Sequence, residues 1–214
     1  MNILVIAAHP DDEVLGMGGT IRKLSKNGNK IRLCVVTEGA TAQYNDKKMI
    51  LERKNACLKS SKILGISKVD FLNFPDMSLD TIPHLEINRS IEKIIKSFKP
   101  TIVYTTPENT LNKDHTLVHE SSLVATRSMS TKVKKIFSYE IPGPTKYPFK
   151  ANYYENIQKE LSFKIKAVKC YKSEIEKFPH PRSIEIINSN SMIRGMEAGL
   201  SAAEAFEIKK IISD

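Results

Sequence analysis

Between Ala7 and Glu13 the chain reads Ala-Ala-His-Pro-Asp-Asp-Glu. One imidazole and three carboxylates stand close together, at His9, Asp11, Asp12 and Glu13. Like charges this close repel unless a cation or a positive dipole offsets them. Imidazole nitrogen and carboxylate oxygen together suit a hard or borderline cation such as Zn²⁺. A second set follows at Asn112-Lys113-Asp114-His115, with His119 one helical turn further on. On a helix His115 and His119 share one face. Such a pair either shares a metal or merely decorates the helix. If the two segments converge, a His and an Asp from the first and one His from the second make three protein ligands. Three ligands with an open position mark catalytic rather than structural zinc. A neighbouring carboxylate can then take a proton from the attacking water, so metal-assisted hydrolysis of an amide or ester follows. Residue types alone do not say which acid ligates and which acts as base.

These groups need strands to hold them. Residues 3–8 are short, apolar and branched, as in a buried strand. Pro10 stops that strand, and residues 13–27 fit a helix ending near Gly28. Further strands are expected at 30–37, 69–74, 101–105 and 133–140. Helices are expected at 46–64, 84–98, 115–128, 155–178 and 201–212, and a proline-rich loop at 141–152. Strands alternating with helices imply βαβ units and a parallel sheet, which binds ligands at the carboxyl ends of its strands. The expected fold is α/β: a Rossmann-like, mostly parallel sheet flanked by helices, with an irregular C-terminal elaboration, and residues 1–214 as one domain. Gly16, Gly18 and Gly19 fall inside the first helix and do not spell a dinucleotide loop; close helix packing against the sheet explains them better.

Composition narrows the classes. Of 214 residues, 41% are hydrophobic and 27% charged, enough for a real core. No stretch approaches the roughly 20 apolar residues of a membrane span. Met1-Asn2 runs straight into the first strand, so no cleavable signal is expected. The three cysteines are widely spaced and match neither a disulfide framework nor a metal motif. These features favour the cytoplasm. The net charge of +9 fits a lysine-rich surface or the attraction of an anionic substrate such as a phosphate or nucleotide-sugar. No nucleic-acid module is present, so nucleic acid is not an expected partner. A homo-oligomer is compatible with the sequence, which does not set the oligomeric state.

Ala8-His9-Pro10-Asp11-Asp12-Glu13, followed by Gly16, Gly18 and Gly19, resembles the signature of the PIG-L/LmbE-like zinc-dependent N-deacetylases. Further segments resemble the family in order: Arg53 before Leu64-Gly65, Phe74-Pro75-Asp76, Asp114-His115, Tyr171-x-Ser173-Glu174, His180-Pro181-Arg182-Ser183, Arg194-Gly195 and Ala203-Glu204-x-Phe206. Carried over by position, the resemblance implies a mononuclear zinc site on His9, Asp12 and His115, with Fe²⁺ or another divalent ion as a competitor. It implies Asp11 as the base for a zinc-held water, Asp114 as the group orienting the second-loop histidine, and Glu13 as scaffold. It implies removal of acetyl from an N-acetylglucosamine-type sugar in a glycoconjugate, glycolipid or nucleotide-sugar.

Four residues are candidate substrate contacts. Arg53 is by default a paired helix arginine, and the resemblance makes it a sugar or phosphate contact. Asp76 stands just past a strand end, where it either accepts a hydroxyl or forms a turn. His180 and Arg182 lie in a loop, either at the substrate or anchoring the chain. One departure matters. Many members carry a histidine where this chain has Asn112. An asparagine can donate to an oxyanion but cannot serve as a general acid. The leaving amine then takes its proton from Asp11 or from another group, His119 and His180 being the titratable candidates. Two rival functions are a non-catalytic sugar- or nucleotide-binding protein and an esterase or amidase on a non-sugar substrate.

Overall fold

In the computed structural model of the protein, which describes residues 1–42 and 47–213, the N-terminal apolar run forms β1, Asn2–Ala7. Its side chains alternate between two cores, as the period of a strand requires. Ile3, Val5 and Ala7 face one cluster with Met17, Ile21 and Tyr139. Leu4 and Ile6 face the other with Ile87, Ile91 and Ile95. Helix α1, Asp12–Lys26, follows directly. Then come β2 (Lys30–Thr37), α2 (Lys47–Leu64), β3 (Lys68–Phe74), α3 (His84–Phe98), β4 (Ile102–Thr105), α4 (Lys113–Ala125) and β5 (Lys135–Tyr139). The expected elements of this stretch are all found within a few residues of their predicted ends; residue 46 of the expected second helix lies outside the described residues.

With β6 at Tyr153–Asn156 and β7 at Ala203–Ile211, the seven-stranded sheet has the order β3-β2-β1-β4-β5-β7-β6. β1 pairs in parallel with β2 on one side and β4 on the other. The chain therefore winds one way from β1 and the other way from β4. The gap between their carboxyl ends is the switch point where such sheets bind ligands. Both sequence clusters of His and Asp leave the sheet there.

The C-terminal third corrects two expectations. Residues 155–178 do not form one long helix. They give the end of β6 (Tyr153–Asn156), then α5 (Leu161–Val168), then a run of turns. The chain leaves helical structure after Val168 because Tyr171 turns in to donate to Glu13 at 2.6 Å and Glu174 accepts from Arg182 at 2.7 Å. Residues 201–212 are not a helix but β7, Ala203–Ile211, antiparallel to both β5 and β6. Its Ala, Glu and Lys are good helix formers. Without it β5 would expose a bare edge, and Phe206 is fully buried against the Tyr104 and Phe137 rings. Between them lies α6, Ile184–Glu197, which sequence reading missed because its Asn and Ser residues are poor helix formers; Ser183 caps it, accepting from the Ile186 N–H.

Two details of α1 serve the site. The helix is kinked at Met17, and the Glu204 carboxylate from β7 accepts the N–H groups of Gly19 and Thr20 at 2.9 and 2.7 Å beyond the kink. Gly16 passes so close to β5 that an added Cβ would run into the Tyr139 ring and stand 2.8 Å from the Glu140 carbonyl oxygen. The close-packing reading of the glycines accounts for this. Gly16→Ala is expected to destabilise the fold by about 1–3 kcal/mol, the range of overpacked cores, read as a lower urea midpoint with unchanged slope.

At the other edge Arg32 on β2 donates to Asp70 on β3, one bond being 2.9 Å. Burial alone would raise the Asp70 carboxyl; hydrogen bonds from Arg32 and Lys68 hold it below its ordinary value. A depressed carboxyl stabilises fully above its unfolded value, about 3.9, and loses that contribution as pH falls through the folded value. Asp70→Asn should therefore lower stability near neutrality and flatten its decline below about pH 4, as followed by thermal unfolding against pH.

Candidate metal centre and active site

The loop after β1 is held tightly. The Ala8 carbonyl accepts from both the backbone N–H and the hydroxyl of Thr37, each at 2.8 Å. The Pro10 carbonyl accepts from Arg53 at 3.0 Å. Asp11 then adopts φ 141°, a region L-residues rarely enter. Strain of this kind persists only where surroundings enforce it, and it collects at functional sites. Glu13 is one enforcer, since its carboxylate accepts the Asp11 N–H at 3.2 Å. Burial raises the Glu13 carboxyl to about 8, against the stabilising bond from Tyr171. The scaffold role expected for Glu13 matches these contacts.

Asp12 opens α1, where the helix dipole favours an anion. Its Oδ2 accepts the His9 backbone N–H at 2.8 Å, and its Oδ1 stands 3.2 Å from His115 Nε2. His9 Nδ1 lies 3.2 Å from that same His115 nitrogen and 3.4 Å from Asp12. One ligand atom from each of the three residues falls within 4.8 Å of the others, and all three residues are buried. Two ring nitrogens facing each other beside a carboxylate are satisfied by a shared proton or by a cation accepting all three lone pairs. Burial would lower the His9 imidazole, yet Asp12, Asp114 and Asp76 hold it well above its ordinary value. Burial would raise Asp12, yet His115 and His9 hold it well below. The donor set fits a divalent ion of the zinc or iron type.

Outer groups fix the ligands. His9 Nε2 faces Asp76 Oδ1 at 3.2 Å and Asp114 Oδ2 at 3.3 Å. A proton held there leaves the Nδ1 lone pair for the cluster. This corrects two expectations. Asp114 orients the first-loop histidine, not His115, whose Nδ1 has no hydrogen-bond partner. Asp114 is itself fixed by the N–H groups of Met77 and Leu79, at 2.8 and 3.2 Å. Asp76 abuts His9 rather than standing free for a substrate hydroxyl, and the bond from His9 lowers its carboxyl against the effect of burial.

Asp11 is 1% exposed, and both its carboxylate oxygens are buried without a hydrogen-bond donor. Two guanidinium groups flank Oδ2 at ion-pair distance, Arg53 at 3.3 Å and Arg182 at 3.4 Å. Glu174 bridges the same two arginines from the far side, at 3.3 and 2.7 Å. Arg53 is buried within this network. Of the two readings of Arg53, its contacts are those of a paired helix arginine: it bonds Pro10 and stands against Asp11.

A cleft of about 430 Å³ opens above the cluster. Asp12, His115 and Asn112 line it, together with His180 and Arg182. His180 and Arg182 are thus placed at the cleft, as their loop position suggested. Asn112 does two things. Its Oδ1 caps α4 by accepting the Asp114 N–H at 2.9 Å, and its Nδ2 points to the weakly accepting Met77 sulfur at 3.3 Å. The cap was legible as Asn before a helix, though sequence reading assigned Asn112 only to chemistry. His119 stands apart: its Nδ1 bonds the Thr106 carbonyl at 2.7 Å, and burial lowers its imidazole. It belongs to neither His/Asp cluster. Glu38 was missed altogether; buried past β2, it accepts the N–H groups of Ala40, Thr41 and Asp76.

Residues 4–126 match the PIG-L family, described as GlcNAc-PI de-N-acetylase. The chain belongs to the PIG-L family. A relative named Uncharacterized deacetylase YaiS, from Escherichia coli (strain K12), is 33% identical over 180 residues, covering 80% of this chain and 90% of the relative. Diacetylchitobiose deacetylase of Thermococcus kodakarensis is 32% identical over 106 residues, 47% of this chain and 39% of that protein. Among solved structures, N,N'-diacetylchitobiose deacetylase from Pyrococcus horikoshii superimposes with a TM-score of 0.83 at 23% identity, covering 98% of this chain and 84% of that one. The 4-carboxy-2-hydroxymuconate hydratase GalB of Pseudomonas putida KT2440 shares the PIG-L-type fold too, with a TM-score of 0.82 at 17% identity over 100% of this chain and 98% of that one. The fold thus carries more than one chemistry, while the family and the relatives above 30% identity are those of deacetylases.

Proposed function

We propose that this PIG-L deacetylase is a metal-dependent hydrolase, using zinc or Fe²⁺, that removes acetyl from an N-acetylglucosamine-type sugar carried on a larger molecule. The observation that supports it best is the convergence of His9 Nδ1, Asp12 and His115 Nε2, with Asp11, next to Asp12 in the chain, buried and without a hydrogen-bond donor. A divalent ion held there by His9, Asp12 and His115 would supply a Lewis acid for a carbonyl oxygen and would make an attacking water more acidic.

In this reading the protein's own groups do the rest. Asp11 accepts the proton of the attacking water. Arg53, Arg182 and Glu174 hold its carboxylate in place. Asn112 turns its Nδ2 from the Met77 sulfur to the developing oxyanion in the cleft. Asp11 returns its proton to the leaving amine, with His180 on the cleft wall as the other titratable group nearby. His119 is no longer a candidate donor, because its ring is buried against Thr106. Residues 1–214 act as one domain, since strands from both ends of the chain share one sheet. Among the described residues no helix is long and apolar enough to cross a membrane. A cytoplasmic setting fits the three unpaired cysteines.

The test is detection of acetate and free amine from a panel of N-acetyl and O-acetyl sugars, with zinc or Fe²⁺ added back. Release of both from N-acetyl sugars supports the proposal. Turnover confined to O-acetyl esters, or none at all, rejects it in favour of the esterase or binding-protein reading.

A further inference from the structure

Two kinds of side chain line the cleft. Asp12, Thr110, Asn112, His115, His180 and Arg182 are polar. Met77, Leu111, Ile141, Pro142, Pro144 and Pro181 make the apolar part of its wall. Met77 and Leu111 are 52% and 62% exposed, large side chains left in water beside a polar site. Among the described residues no lysine or glutamate lines the cleft, although the chain has 33 Lys and Arg. The guanidinium there, Arg182, is already compensated by Glu174 and Asp11. Basic residues gather elsewhere: a hollow beside α2 is lined by Lys48, Lys59, Lys169 and Lys172. The cleft volume falls in the range of about 300–1,000 Å³ that accommodates drug-sized ligands, larger than one pyranose ring.

We propose that this wall is the subsite for the group attached to the acetylated sugar, and that this group is apolar and uncharged. An alkyl or aryl substituent covers Leu111 and Met77, whereas a phosphate, carboxylate or nucleotide finds no unpaired cation on the wall. The inference rests on the deacetylase reading and narrows it, against the anionic substrate that the net charge of +9 suggests. The polar and apolar residues line one cleft, so a substituent on the sugar reaches the apolar ones without leaving it.

The experiment compares acetate release from N-acetylglucosamine, its phenyl and hexyl β-glycosides and its 1-phosphate, with metal supplied. The phenyl and hexyl glycosides are expected to exceed both the free sugar and the phosphate by about 10-fold or more in kcat/KM, as burial of several methylenes implies. Leu111→Ser should collapse that preference, and Leu85→Ser, an exposed leucine on α3 outside the cleft, should leave it intact. A preference for the 1-phosphate, or a preference for the glycosides that survives Leu111→Ser, overturns the proposal while leaving the deacetylase intact. If no acetyl sugar is turned over, the deacetylase reading falls, and calorimetry on the same glycosides still decides the wall. Binding of the hexyl glycoside that Leu111→Ser abolishes supports it; no binding, or binding that ignores Leu111→Ser, overturns it.

Discussion

Asp11→Asn is expected to lower kcat for acetate release by roughly 10²–10⁴-fold, the usual contribution of a general base, while the bound metal stays. The geometry separates the two roles. Asp11 is absent from the cluster of converging ligand atoms, to which Asp12 contributes. Its own oxygens accept no hydrogen bond, and Oδ2 faces two guanidinium groups instead. The asparagine is nearly isosteric, so the loop should keep its shape, and Glu13 still holds the backbone N–H of residue 11. Metal content and kcat measured on the same preparation check the claim. An Asn variant that keeps more than a tenth of wild-type kcat moves the base elsewhere, and one that loses its metal makes Asp11 part of the ligand set.

His115→Ala should do the opposite and lose the metal itself. His115 Nε2 is the only ring nitrogen that the second loop brings to the cluster, 3.2 Å from both His9 Nδ1 and Asp12 Oδ1. Its loss should weaken metal binding well beyond the roughly 10–100-fold typical of changes in groups that only orient a ligand. Asp114→Asn falls in that smaller range, because Asp114 acts through His9. Competition for zinc against a chelator separates the two variants, and equal affinities in both would show that His115 is not a ligand.

The parts of the fold legible in sequence share a physical cause. β1, β2, β3 and β4 are apolar runs closed by Pro or Gly, and α3 carries its isoleucines at helical spacing. Their local preferences agree with their final environment. β7 could not be read this way, since Ala203–Ile211 prefers a helix until β5 offers it an edge. The turns at 169–183 are dictated by distant partners, Glu13 and Asp11, which no local pattern reveals. The same distinction runs through the site. His9, Asp12 and His115 stood out because charged groups crowd the ends of buried strands, and the sheet order brings those ends together. Arg53 and Asp76 were recognisable as unusual, but whether a buried arginine meets substrate or braces a carboxylate depends on Glu174, far away in sequence. Asn112 shows a residue serving local structure and the cleft at once, which its position before α4 signalled in part.

The most direct test of the account is acetate release from an N-acetylglucosamine conjugate by chelator-treated protein, titrated with zinc and with Fe²⁺ while bound metal is counted. The account predicts that chelation abolishes release and that activity returns in proportion to metal, saturating at one ion per chain. Full activity in protein shown to be free of divalent ions would contradict it.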